Sequence, residues 1–281
     1  MPFEKTKGMD IYYEIHGDGG ERGTIILLHH GFGCTKIWKE IYPHLAANGY
    51  RTIMYDRRGY GRSERGADFE EFYVSERFRP ESVDELAALM NVLSIDSFHI
   101  VGQCEGGVVG VDYAVKYPDQ VQTLVISSTQ CYSKTSMLEL NKEVFPKSFK
   151  DLELELKEKL IEWHGEHAES FFNQFREYGG VYGKDFFDLR DVLPSVMSPT
   201  LVLYPDRSSI FEVEQGVAFY RHLSNGELAV LPYCGHNTYE YRPKEYIRIV
   251  LDFLGRHENS TGLSSSQREE FNYSCLAVKK T

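Results

Sequence analysis

The chain has 281 residues, a formal net charge of −11 and 42% hydrophobic residues. That length and apolar content suit one large domain carrying an inserted subdomain, with enough material for a substantial core. The acidic balance argues against nucleic acid and anionic membrane surfaces as partners.

The first residues, Met1 to Gly17, lack the apolar centre of an export signal, and no apolar run approaches membrane-spanning length. Five cysteines at no framework spacing suit a reducing compartment. A cytoplasmic protein is therefore expected.

In chain order, Ile11–Ile15 reads as a first strand. Thr24–His29 is nearly all apolar, as in a strand covered on both faces, and runs into His30-Gly31-Phe32-Gly33. The pattern predicts a helix over about 36–47, stopped by Asn48-Gly49, and a strand over Arg51–Tyr55. A glycine-punctuated loop, Asp56 to Ser63, and a polar connection over 66–79 lead to a helix opened by Pro80-Glu81-Ser82 and running to Leu93. Then Phe98–Val101 reads as a strand, Gly102-Gln103-Cys104-Glu105-Gly106 as a very tight turn, and the small-residue run beyond it as a helix. Val121–Ile126 is another strand. Over 128–194 strand signals vanish, and charge alternates with aromatics such as Phe145, Trp163, Phe172, Phe175 and Tyr182, which predicts an inserted helical cap. Thr200–Tyr204 resumes the sheet. A helix over about 212–223, the strand Glu227–Leu231 and a helix from Pro243 to Leu254 complete it. Strand–helix alternation implies a mostly parallel sheet with helices on both faces, an α/β class. The expected boundaries are a core over 1–127 and 195–256, a cap over 128–194 and a polar tail over 257–281, with a short terminal helix near Ser266 admitted by its cap-like sequence.

The pentapeptide centred on Cys104 carries the chemistry. A nucleophile between glycines, at a strand-to-helix turn, sits where neighbouring Cβ atoms are not tolerated and where the free N–H groups of the helix favour negative charge. With Leu27-Leu28-His29-His30-Gly31-Phe32-Gly33, Asp56-Arg57-Arg58-Gly59-Tyr60-Gly61-Arg62-Ser63, Pro199 to Tyr204, and Gly235-His236, the chain over about 8–256 resembles the α/β-hydrolase superfamily, of the lid-bearing esterase and C–C hydrolase kind. The resemblance implies that fold and a site of nucleophile, base and oxyanion donors. Cys104 stands where the family usually has serine. His236, after the last strand, matches the base. The oxyanion donors would be the backbone N–H groups of Phe32 and Glu105. The family commonly reads Gly-x-x-Asp after the penultimate strand; here the stretch is Pro205-Asp206-Arg207-Ser208, with Ser208 in the acid register and Asp206 two residues early. Asp206 completing a triad from a shifted loop, a Cys-His dyad with Ser208 or a water orienting the ring, and an acid from elsewhere all stay open.

Simpler readings exist for each residue. A cysteine is often a small buried hydrophobe, a Gly-His pair often a surface feature, Phe32 a pocket wall, and the Asp56–Ser63 loop structural. Glu105 beside a thiol would hinder thiolate formation; it either faces solvent or serves substrate binding. Cys34, Cys131 and Cys234 read as buried filler. No ligand spacing supports a metal, and no cofactor is expected.

The resulting expectation is hydrolysis of a carboxylic ester, thioester or lactone through an acyl-Cys104 intermediate, on a small molecule with an apolar or aromatic portion. Kept beside it are a C–C bond hydrolase, a biosynthetic acyltransferase or cyclising thioesterase, a weakened fold used as a small-molecule receptor, and an engineered cysteine in place of serine. A homodimer is left open.

Overall fold

A computed structural model describes residues 3–17 and 20–258. The tail beyond 258, with the helix expected near Ser266, lies outside the described residues.

Eight strands form one sheet. In chain order they are β1 (Phe3–Thr6), β2 (Met9–His16), β3 (Thr24–Leu28), β4 (Arg51–Tyr55), β5 (Phe98–Gln103), β6 (Val121–Ser127), β7 (Thr200–Pro205) and β8 (Gly226–Leu231). Their spatial order is β1-β2-β4-β3-β5-β6-β7-β8. From β4 to β8 every pairing is parallel, and β1 and β2 add antiparallel strands at one edge. The helices are α1 (Tyr42–Ala47), α2 (Phe69–Tyr73), α3 (Phe78–Val92), α4 (Glu105–Lys116), α5 (Met137–Val144), α6 (Leu154–His164), α7 (Ala168–Tyr178), α8 (Glu214–His222), α9 (Thr238–Tyr241) and α10 (Pro243–Glu258).

The near-continuous apolar strands follow from burial on both faces. Ile26, Leu28, Ile100, Leu124, Ile126 and Val202 point into one core with Leu86, Leu89, Val108 and Phe219 of α3, α4 and α8. Their alternate neighbours Ile25, Leu27, Val101, Val125, Leu201 and Leu203 point into the other, with Leu45, Tyr246, Val250 and Phe253 of α1 and α10. Each such side chain contributes about 1.5–3 kcal/mol by leaving water.

Three expectations change in detail. The helix expected over 36–47 is a 3₁₀ turn, Thr35–Trp38, followed by the short α1. Pro43 in the first turn of α1 has no N–H to continue an earlier helix. Within the polar connection, α2 forms because Phe69, Phe72 and Tyr73 are buried while Arg58 and Arg65 cover rings of Phe72 and Phe69. The edge strand β1 was hidden by its polar sequence; Lys7 and Gly8, both at positive φ (48° and 85°), turn it back onto β2.

Between β6 and β7 lie α5, α6, α7 and several 3₁₀ turns, and this helical insertion rests on the carboxyl end of the sheet. Phe32 of the β3 loop packs on Phe175 at 4.2 Å and on Phe172 at 5.5 Å between centroids. His164, at the end of α6, has Nε2 at 2.8 Å from the Phe32 carbonyl and accepts the Gly61 amide at Nδ1 at 3.2 Å.

Candidate active site

The site begins with a strained backbone. Cys104, between β5 and α4, has φ 53° and ψ −114°, a conformation that costs a non-glycine residue on the order of 1–3 kcal/mol. Packing enforces it: a Cβ on Gly102 would strike the Gly106 carbonyl, and one on Gly106 would strike the Leu28 carbonyl. The turn aims the sulfur across the amino end of α4, where the Glu105 amide favours its ionised form.

The remaining surroundings oppose ionisation. Cys104 is buried, and burial above all, with the Glu105 charge, pushes its thiol up to about 12. Its hydrogen-bond partner is Tyr182 of the insertion, with Oη 3.5 Å from Sγ. Tyr182 Oη also accepts the Gln130 amide at 3.4 Å, and across the contact with the sulfur either the phenol or the thiol can donate. Among the described residues no hydrogen bond joins Cys104 to His236.

His236 follows β8 and is fixed from several sides. Gln103 Nε2 and Ser128 Oγ donate to its carbonyl at 3.1 and 2.6 Å. Phe211 stands edge-on to the ring at 5.5 Å. Ser208 Oγ lies 3.1 Å from Nδ1. Burial brings the imidazole down to about 4, so it is neutral near pH 7. Asp206 turns elsewhere: its carboxylate accepts the Cys234 amide at 3.0 Å and lies 3.7 Å from Arg207. Thus Ser208, and not Asp206, is the residue of that loop at the imidazole.

The Phe32 amide donates to His30 Nδ1 at 3.2 Å. His30 Nε2 meets Tyr239 Oη at 3.1 Å, and burial followed by the nearby His236 brings this imidazole down to about 3. In this arrangement the Phe32 N–H is engaged, while the Glu105 N–H faces the sulfur.

Glu105 does not face solvent. Its side chain is fully buried and bonds Arg57 Nη2 at 2.6 Å, Tyr60 Oη at 3.3 Å and the Val181 amide of the insertion at 3.0 Å. Sequence reasoning placed no chemistry in the Asp56–Ser63 loop and so missed Arg57 as the partner. Asp56 is structural there, accepting the Thr35 and Arg62 amides at 2.6 and 2.9 Å. Tyr182 and His164 were also missed as neighbours of the site; only their place in an aromatic-rich insertion hinted at them. Cys34, Cys131 and Cys234 are buried and unpaired.

A mostly parallel sheet whose central strand ends in a strained turn at Cys104, with a histidine after the last strand, is the arrangement of the α/β-hydrolase class. The chain belongs to the alpha/beta hydrolase fold family, whose sequence profile matches residues 23–175, more than half of its length. It is similar to a proline iminopeptidase of Lactobacillus helveticus, 37% identical over 131 residues, which spans 46% of this chain and only 42% of that relative. A putative carbamate hydrolase RutD of Pantoea ananatis is 26% identical over 88% of this chain and 94% of its own. Among solved structures, the enol-lactonase from Burkholderia xenovorans LB400 superposes with a TM-score of 0.71 at 18% identity, over 90% of this chain and all of that one, a likeness of fold. No helix among the described residues is long and apolar enough to cross a membrane.

Proposed function

We propose that the chain is a hydrolase of carboxylic esters, thioesters or lactones that works through a covalent acyl-Cys104 intermediate. The observation that carries this reading is the strained Cys104 at the amino end of α4, a turn that costs backbone energy and sets the sulfur beside the Glu105 amide. In the reaction the sulfur yields its proton to an imidazole nitrogen of His236 and bonds the carbonyl carbon. The charge gathering on the carbonyl oxygen is met by the Glu105 amide and, with the insertion closed, by the Tyr182 hydroxyl. Collapse expels the alkoxide or thiolate, which takes the proton back from the imidazole. Water then adds to the thioester, giving its proton to the same ring, and the carboxylic acid leaves as the thiol is restored. Nδ1 rests against Ser208, so the site works as a Cys-His pair, which needs a third member less than a Ser-His pair does.

The insertion acts as a cap, and its Phe145, Phe172 and Phe175 against Phe32 suit an apolar or aromatic acyl portion. A reducing compartment, the cytoplasm, would keep Cys104 a thiol. Incubation with activated esters and acyl thioesters, read by intact mass, is expected to add one acyl group to the parent and none to Cys104→Ala. Equal labelling of both would overturn the reading.

A second reading, a small-molecule receptor without turnover, is favoured by one observation: the Phe32 amide is spent on His30. Saturable binding with no acyl adduct and no product would select it.

A further inference from the structure

Ser208 does more than fill the place of an acid. Its Oγ accepts the backbone amides of Ile210 at 3.2 Å and Phe211 at 3.0 Å. A hydroxyl oxygen offers two lone pairs and one proton. With both lone pairs given to the turn, the only bond Oγ can still make is as a donor, and the group 3.1 Å away is His236 Nδ1. A neutral imidazole carries one proton, so a ring that accepts at Nδ1 holds its proton at Nε2. A carboxylate at this place would accept only, and would impose the opposite tautomer, with Nε2 free to take a proton.

We infer that Ser208 is a positioning residue that locks His236 in the Nε2–H tautomer, so that the imidazole rests as a hydrogen-bond donor and must change tautomer before it can act as a base toward Cys104. The inference rests on the proposed thiol chemistry for its consequence, but not for its geometry. The Ile210 and Phe211 amides hold the hydroxyl in place whether or not Cys104 reacts. Formation of an imidazolium is opposed too, because a proton on Nδ1 would face an oxygen whose lone pairs are already taken. The same logic applies beside it: His30 Nδ1 accepts the Phe32 amide, which leaves the proton of that ring on Nε2, toward Tyr239. Both rings are thus held with Nδ1 as acceptor, by a hydroxyl in one case and an amide in the other. The site at rest is rich in donors and lacks a free base.

The test reads the tautomer directly. Long-range proton–nitrogen correlation spectra of the ¹⁵N-histidine-labelled full chain, near pH 7, distinguish Nδ1–H from Nε2–H, and the His236 signals are those lost in His236→Asn. The parent is expected to show Nε2–H alone. Ser208→Asp keeps oxygens that can accept the Ile210 and Phe211 amides, and is expected to switch His236 to Nδ1–H. With it, alkylation of Cys104 by iodoacetamide should quicken by about tenfold or more, the scale on which an oriented base acts. An Nδ1–H ring in the parent, or a mixture of both forms, overturns the inference whatever the variant does. So does an unchanged Nε2–H ring in a Ser208→Asp protein with a native circular-dichroism spectrum. Absence of an acyl adduct would overturn the proposed hydrolysis while leaving the tautomer result standing, so the two failures are separable.

Discussion

At Cys104, backbone and environment pull in opposite directions. The turn delivers the sulfur to a helix amino end, while burial holds its thiol up at about 12. Cys104→Ser is expected to fold normally and to lose about 100-fold or more in ester turnover, because a hydroxyl depends on an oriented base far more than a thiol does. Steady-state hydrolysis of an activated ester checks this, and serine activity equal to the parent would contradict it. Asp206→Asn is expected to change turnover less than about twofold, since its carboxylate bonds the Cys234 amide and not the imidazole, whereas a catalytic acid would cost far more. At this scale the places of Cys104, Ser208 and His236 in the fold were legible, because each lies within five residues of a strand end that the apolar pattern marks. The partners of Glu105 were not. Arg57 lies 48 residues away in sequence and Val181 lies 76 away, and no local pattern joins them.

Among the elements, the parallel strands and the large helices were legible, because burial on both faces leaves unbroken apolar runs in the sequence. The polar edge strand β1 and the short α2 and α9 were not, since their formation depends on neighbours distant in the chain. The insertion is joined to the sheet through its 3₁₀ turn Gly180–Tyr182, where Gly180 has φ 58° and a Cβ would collide with Glu105 Oε1. Gly180→Ala is therefore expected to destabilise the protein by about 1–3 kcal/mol through strain and displacement of a buried carboxylate. Urea unfolding measures this, and an unchanged midpoint would show that the turn tolerates a side chain. Glu105→Gln is expected to cost more, about 3–5 kcal/mol, since Arg57 would keep a buried charge without its counter-ion.

For the whole molecule the buried imidazoles set the response to acid. Burial holds His236 and His164 down at about 4, His30 at about 3, and His29 well below its ordinary value. Below about 6.5 the unfolded chain binds protons that these folded imidazoles refuse, so their contribution is full above that pH and is lost as pH falls toward 4. Glu85 works the other way: burial raises it to about 7, so it favours the fold most below its ordinary value and loses that contribution as pH climbs to 7. Burial raises Asp56 too, so four imidazoles stand against two carboxyls; the balance is a net loss on acidification, and the melting temperature is expected to fall between pH 7 and pH 5. Glu85→Gln should raise the melting temperature at pH 8 and change it little at pH 4. A melting temperature flat across the acid range would mean that the imidazoles are open to water.

The Val181 amide hydrogen is bonded to the buried carboxylate of Glu105, the residue next to Cys104. That proton is a clock. It exchanges with deuterium only when the turn carrying Tyr182 lifts away from the sheet, and the same lifting uncovers Cys104. Where every opening leads to exchange, the Val181 rate is the opening rate, and electrophiles of any size should share it as one ceiling: at saturating reagent, alkylation runs no faster, however reactive the warhead.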